Sequence, residues 1–183
     1  MNRGYLANAE EVRVRGVELD GNAKFSRHFS LYGALAYTDG KYITFTNAPP
    51  PLEETGSPTF KDISGGRLPG ISKLAASFGG EISDPGKFLS QKGRFFLAVD
   101  GYYRSEFSSN PSPSTYLVVD GYALLNARAG FRTKTGVSAF FWIRNLFNQD
   151  YFEQLLPGAG NAGHYAGVLG DPRTFGITLR YTL

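Results

Sequence analysis

Residues 173–183 read RTFGITLRYTL, and Phe175, Ile177, Leu179, Tyr181 and Leu183 fall on one parity while Thr174, Gly176, Thr178, Arg180 and Thr182 fall on the other. Successive side chains of a β-strand point to opposite faces, so this segment has one apolar face and one polar face. Most strands in the chain share that split, and few segments remain to cover their apolar faces as a second sheet would. Lipid is the solvent that suits such faces. The pattern therefore predicts an all-β fold, an antiparallel transmembrane β-barrel segment.

Six further strands are expected upstream. The first covers residues 12–25, with Val17, Leu19, Gly21, Ala23 and Phe25 on one side and Glu18, Asp20, Asn22 and Lys24 on the other. Val12 and Val14 are out of phase with that series, which predicts a bulge at Gly16. The second strand, residues 30–42, places Leu31, Gly33, Leu35 and Tyr37 together. The third, residues 72–82, alternates Leu74, Ala76, Phe78, Gly80 and Ile82 with Lys73, Ala75, Ser77, Gly79 and Glu81. Asp84-Pro85-Gly86 then reads as a turn inside a connection over residues 83–93. The fourth strand, residues 94–105, aligns Phe95, Leu97, Val99, Gly101 and Tyr103; the fifth, residues 117–132, aligns Ala123, Leu125, Ala127, Ala129 and Phe131. Thr133-Lys134-Thr135-Gly136 is a hairpin signal into a sixth strand over residues 137–147, whose second face carries Phe140 and Trp142.

Residues 43–71, with Pro49-Pro50-Pro51, and residues 148–172, rich in glycine, show no sustained period and read as long loops. The tight connections at 26–29 and 133–136 fall on the opposite rim from these loops. Outer-membrane barrels are built that way. The connections over 83–93 and 106–116 are equal in length and do not assign a rim.

Composition fits without deciding. No run of eighteen apolar residues occurs, so a transmembrane helix is excluded, and the mean hydropathy of -0.24 suits alternating strands. Tyr 11, Phe 15 and Gly 23 would serve aromatic girdles and crowded strands. Cysteine is absent, which removes disulfides, thiolate metal sites and cysteine nucleophiles. A net charge of +3, dispersed along the chain, gives no nucleic-acid signature. No nucleophile elbow, phosphate loop or HExxH occurs, so no enzyme is expected. His28 and His164 are the only histidines and lie far apart, so neither a metal site nor a resident cofactor is expected.

MNRGYLANAEE at the start lacks a charged region followed by an apolar stretch, so it does not read as a secretory signal. Seven strands are odd, whereas bacterial single-chain barrels have even counts. Together these predict that strands precede the chain in a longer exported precursor.

VRVRGVELDG, GYALLNARAGF, IRNLFNQDYFE and GDPRTFGITLRYTL together resemble the C-terminal third of a TonB-dependent outer-membrane receptor, NLFNQDY followed by GDPRTFG being the most specific combination. The resemblance covers nearly the whole chain. It implies that residues 1–183 are the C-terminal part of a 22-stranded barrel whose plug domain is absent. It further implies a complete protein in the bacterial cell outer membrane that imports a scarce nutrient, most often a ferric siderophore, energised by TonB through the missing N-terminal region. Outer-membrane lipid and the barrel-assembly machinery are further expected partners, because GITLRYTL resembles the terminal signal that machinery reads. The chain ends in Leu183 where phenylalanine is usual.

Ligand contacts would come from polar-face and long-loop residues. Tyr102, Arg104, Arg128 and Arg144 are expected to face the lumen, where arginine suits the carboxylate or catecholate oxygens of an anionic chelate. The structural alternative is that they bridge to a plug or to neighbouring strands. Tyr151, His164 and Tyr165 in the last loop offer rings to a flat ligand, or pack within the loop. Asn145 and Asp171-Pro172-Arg173 are expected to fix strand ends. Two other readings stand beside transport: a small outer-membrane barrel with an adhesin or structural role, and a soluble β-sandwich.

Overall fold

The computed structural model describes residues 8–54, 59–111, 113–158 and 163–182. Seven antiparallel strands form one sheet: β1 (Glu11–Lys24), β2 (Phe29–Thr44), β3 (Leu74–Phe88), β4 (Gln91–Arg104), β7 (Tyr122–Thr133), β8 (Val137–Arg144) and β11 (Thr174–Tyr181), in that order. β5 (Phe107–Ser108) and β6 (Val118–Val119) form a small ladder, and β9 (Phe152–Pro157) and β10 (Tyr165–Leu169) form a hairpin. Every sheet neighbour is also the next wall strand in the chain, so the wall is an up-and-down meander.

The register carries the alternation across all seven strands. One rung runs Ala23, Leu31, Gly80, Val99, Ala127, Ile143, Phe175. The adjacent rung runs Lys24, Ser30, Glu81, Ala98, Arg128, Trp142, Gly176. One face of the whole sheet is therefore apolar and the other polar. The apolar face is bare: Leu19 is 66%, Phe78 52%, Ile177 77% and Leu179 78% exposed. A contiguous apolar surface of this extent is a lipid or partner surface.

Bulk alternates with gaps on that face. The Phe78 ring lies where a side chain on its cross-strand partner Gly101 would stand, 2.4 Å from a hypothetical Cβ. Phe88, Phe95 and Phe131 cluster near the tight-turn end, with Phe95 and Phe131 centroids 4.7 Å apart.

The first strand differs from the sequence reading. No bulge occurs at Gly16; the register is unbroken from Val12 to Lys24, and the one irregularity lies between Glu11 and Val12. Gly16 is instead a close-approach position, since a Cβ there would sit 2.6 Å from the Tyr37 carbonyl oxygen. Val12 and Val14 consequently belong to the inner face, and Arg13 and Arg15 to the outer one.

The Asp84-Pro85-Gly86 turn is also overturned. Those residues lie inside β3, paired to Phe95, Arg94 and Gly93. The Ser83 amide donates to the His28 carbonyl at 2.7 Å, and the next nitrogen on that edge is Pro85, beyond the last β2 pair at Phe29 and Ile82. Proline is tolerated there because no neighbouring strand asks for its missing N–H. The actual turn is Leu89-Ser90, at φ of 46° and 65°, the left-handed pair of a type I′ hairpin.

Turn 89–90 joins 25–28 and 134–136 on one rim, and residues 45–73, 105–121 and 145–173 form the other. The connections over 83–93 and 106–116 are thus unequal after all. The fifth wall strand begins at Tyr122, not at residue 117: Leu117 and Val119 are buried with Phe107 in the β5–β6 region. The sixth wall strand ends at Arg144, where Asn145 turns left-handed at φ 48°.

Candidate functional site

The three long connections are folded onto one another. In residues 45–73, Phe45, Ala48 and Ile63 bury themselves with Tyr42, the end of β2, as a small apolar core. Ala48 and Lys61 close this loop with reciprocal backbone hydrogen bonds of 3.0 and 2.8 Å. Arg67 pairs with Glu106 at 2.7 Å, and the Gly70 amide donates to the Ser108 carbonyl, which ties the first loop to the second.

The second loop is tied to the third through one hydroxyl. Ser109 Oγ donates to the Leu155 carbonyl at 2.6 Å and accepts from the Leu155 amide at 3.1 Å. The first and third loops meet directly where the Tyr165 hydroxyl donates to Glu53 at 2.5 Å. The Tyr165 ring lies 5.2 Å from that of Tyr116, in the second loop. All three loops therefore meet at one aromatic and carboxylate cluster.

Each predicted residue has a definite place relative to this rim. Tyr102 faces inward on β4, 6.3 Å from the Tyr122 ring, which is 4.4 Å from Tyr151. These tyrosines form a line from the inner wall into the last loop. Arg104 lies 3.6 Å over the Phe107 ring and donates to Ser72 at 2.9 Å and to the Gly70 carbonyl. Its bonding is thus directed to neighbouring strands and loops.

Arg128 and Arg144 face inward and are exposed, with no carboxylate partner among the described residues. Arg144 lies 5.2 Å over the Trp142 ring. His164 is exposed, and its backbone carbonyl accepts from Gly158. The seven residues do not converge. Tyr102 and Tyr151 share one line, Tyr165 belongs to the loop cluster, and His164, its neighbour in the chain, is exposed.

Several participants escape the sequence reading. Glu53 and Tyr116 lie in segments without periodicity, so nothing in the sequence marks them. Tyr122 and Arg180 carry a legible signal, their polar-face parity on β7 and β11. Arg180 joins Arg128, Arg132 and Glu81 around a cleft of about 380 Å³ on the inner face. Arg132 is paired with Glu81 at 2.5 Å and lies 4.2 Å over Phe96, so Arg128 and Arg180 supply the uncompensated positive charge there.

Electrostatics mark the loop cluster. Burial works against ionisation of Glu53, but hydrogen bonds from Tyr165 and Ser114 outweigh it and hold the carboxyl below its ordinary range. Tyr165 is pushed up, first by the hydrogen bond it gives Glu53 and then by burial. Tyr151 is pushed up by burial and by nearby Glu153. Among the described residues no group of histidine and carboxylate side chains is placed to hold a metal ion.

The model of the family described as "TonB dependent receptor-like, beta-barrel" matches residues 2–146. Comparison with curated proteins gives no match. Solved structures similar to the fold include the ferric yersiniabactin uptake receptor from Yersinia pestis, at a TM-score of 0.72 and 15% identity over 93% of this chain and 23% of the receptor. A siderophore receptor from Acinetobacter baumannii gives a TM-score of 0.67 at 20% identity, again covering 93% of this chain and 22% of that one. The ferric preacinetobactin receptor from the same organism gives 0.65 at 23% identity, with coverages of 93% and 22%. The chain thus spans less than a quarter of the length of these receptors.

Proposed function

Since the chain belongs to the TonB-dependent receptor-like β-barrel family, we propose that its seven strands are the C-terminal part of the wall of a 22-stranded barrel in the bacterial outer membrane. The complete receptor takes up a ferric siderophore or a similar scarce nutrient, with energy delivered by TonB through an N-terminal plug region. The described residues contribute wall and loops. The terminal strand β11 carries the segment read by the barrel-assembly machinery.

The observation that carries this reading is the two-faced seven-stranded meander, apolar outside and arginine-bearing inside, with its long loops folded together on one rim. Arg128 and Arg144 on the inner face receive the anionic groups of the chelate, and Tyr102 and Tyr151 stack on its flat parts. Tyr165 and His164 contribute from the outer loop. Iron travels inside its chelator, so the wall needs no metal ligands of its own.

The test is uptake by cells in which the coding region for this chain is deleted. During iron starvation, radioiron uptake from a panel of chelators should fall for at least one of them, and the same uptake should vanish in cells lacking TonB. Unchanged uptake across the panel would contradict the proposal.

A further inference from the structure

The β3–β4 hairpin outreaches its neighbours on the tight-turn rim. The last β2–β3 pair is Phe29 with Ile82, and the β1–β2 turn meets β3 at Asp84, whose carboxylate lies 2.6 Å from His28. β3 runs on to Phe88, and on β4 the residues Gln91 and Lys92 lie past the last pair with β7, Gly93 with Thr133. The four steps from Asp84 to Phe88, at ~3.3 Å each and a tilt of ~40°, carry the hairpin ~10 Å beyond the His28 contact.

Its tip combines apolar surface with uncompensated charge. Leu89 is 82% exposed, the most exposed large apolar side chain among the described residues, and holds a φ of 46° that leucine rarely adopts. Lys87 lies directly opposite Lys92, and the Lys134 amide donates to the Lys92 carbonyl at 3.3 Å, so three lysines share one corner. Like charges set opposite each other work against strand pairing. All three are exposed and make no ion pair among the described residues. The carboxylates of β3 are engaged elsewhere, Asp84 with His28 and Glu81 with Arg132. The tip is nonetheless fixed, because the Phe88 ring packs 6.4 Å from that of Phe95 and 5.8 Å from that of Phe131. β3, β4 and β7 are interior strands of the sheet, so these features owe nothing to an open edge.

We propose that this tip docks an acidic segment of a periplasmic protein, with carboxylates on Lys87, Lys92 and Lys134 and an apolar side chain against Leu89. The site rests on the membrane reading above, which sets the tight turns in the periplasm, and adds a partner which that reading does not assign. Lys87 and Lys92 share the inward parity of Glu81 and Arg94, so their charge is turned away from lipid. The projection carries Leu89 past the wall, outside the lumen that a plug fills. A polypeptide in the open periplasm fits that position, and three cations beside one bare apolar side chain select an acidic one. A tip already held rigid loses little entropy on binding.

The test places the photo-crosslinking residue p-benzoylphenylalanine at position 89 of the receptor in its source cells. A heat-modifiable band in outer membranes checks the membrane reading first; its absence would overturn both proposals, whereas a normal band without a protein adduct on illumination would overturn this one alone. The expected result is an adduct with a second protein whose linked peptide, sequenced by mass spectrometry, carries net negative charge. A synthetic peptide of alternating glutamate and leucine should compete for the adduct, and one of alternating lysine and leucine should not. K87E/K92E, still heat-modifiable, should lower the yield at least about tenfold, while K87R/K92R should keep it. Equal yield in K87E/K92E, a neutral or basic linked peptide, or an adduct with phospholipid or with the receptor's own N-terminal region would overturn the proposal. The adduct should persist in cells lacking TonB; its loss there would reduce the contact to the energising partner and overturn it equally.

Discussion

The Asn145 side-chain amide donates to the backbone carbonyl of Asp171 at 3.1 Å, joining the end of β8 to the segment that enters β11. The same amide donates to the Gln149 carbonyl at 2.9 Å, and its oxygen accepts from the Gln149 amide at 2.8 Å. Asn148 completes the joint by accepting from the Arg173 amide at 3.0 Å. Both asparagines are left-handed, at φ of 48° and 52°, a conformation asparagine tolerates better than most residues. The spacing NLFNQDY followed by GDPRTFG is therefore the sequence of a structural joint. It holds the last strand in register with the wall.

Asn145 is 4% exposed, so its lost partners would not be replaced by bulk water. Asn145→Ala should destabilise the fold by about 2–4 kcal/mol, from several lost hydrogen bonds and a strained φ. Asn145→Gly should be milder by about 1 kcal/mol, because glycine accepts the backbone angle. The temperature at which the unboiled gel band loses its fast mobility measures both. Equal loss in the two variants would deny the backbone contribution.

Ser109 is the link between the second and third loops. Ser109→Ala should leave the wall intact and loosen the β9–β10 hairpin, raising hydrogen exchange at the Leu155 amide by roughly 5- to 30-fold, the equivalent of ~1–2 kcal/mol. Mass-resolved exchange over residues 152–169 measures it. Exchange rising equally in β7 and β8 would mean that the loops do not move as a separate unit.

The contact of Tyr165 with Glu53 is pH-dependent in a predictable direction. The Glu53 pKa is depressed in the fold, so its contribution is present above the unfolded carboxylate value and is lost as pH falls through the lower folded value. The Tyr165 pKa is raised, so its contribution is present below the unfolded phenol value and is lost as pH rises through the higher folded one. The loop cluster should hold at least from the ordinary carboxylate value of 4.5 to the ordinary phenol value of 10.0 and loosen only beyond them. In an ultraviolet titration of phenolate, Tyr165→Phe should remove one of the late-titrating tyrosines.

Neighbouring residues of β1 separate the two faces of the wall. Leu19 faces outward at mid-strand, and Glu18 faces inward. Leu19→Arg should cost about 1–2 kcal/mol in lipid vesicles, the penalty of a cation between the edge and the middle of the apolar band, while Glu18→Arg should stay within about 0.5 kcal/mol. Guanidinium unfolding from vesicles reads the difference. Equal costs would argue against a lipid-facing surface.

The wall was legible because lipid imposes a period of two on every strand, and the register of all seven strands preserves it. Legibility failed where another force shares the pattern. Val12 and Val14 imitated a phase change, although the strand is regular and Gly16 answers to the Tyr37 carbonyl. Asp84-Pro85-Gly86 imitated a turn because an unpaired edge tolerates proline, while Leu89-Ser90 carries no glycine or asparagine to mark it. Leu117 and Val119 were apolar for the loop interior, not for the wall. Of the site, strand parity revealed the inward arginines, whereas the meeting of Glu53, Tyr116 and Tyr165 depends on loop packing across long sequence separations, which no local pattern encodes.

The most direct test of the central claim, that this chain is wall and loops of a larger outer-membrane receptor, is a gel of outer membranes, boiled and unboiled, probed with an antibody against residues 48–60. The account predicts a heat-modifiable band several times larger than 20.0 kDa. A band at 20.0 kDa would contradict it.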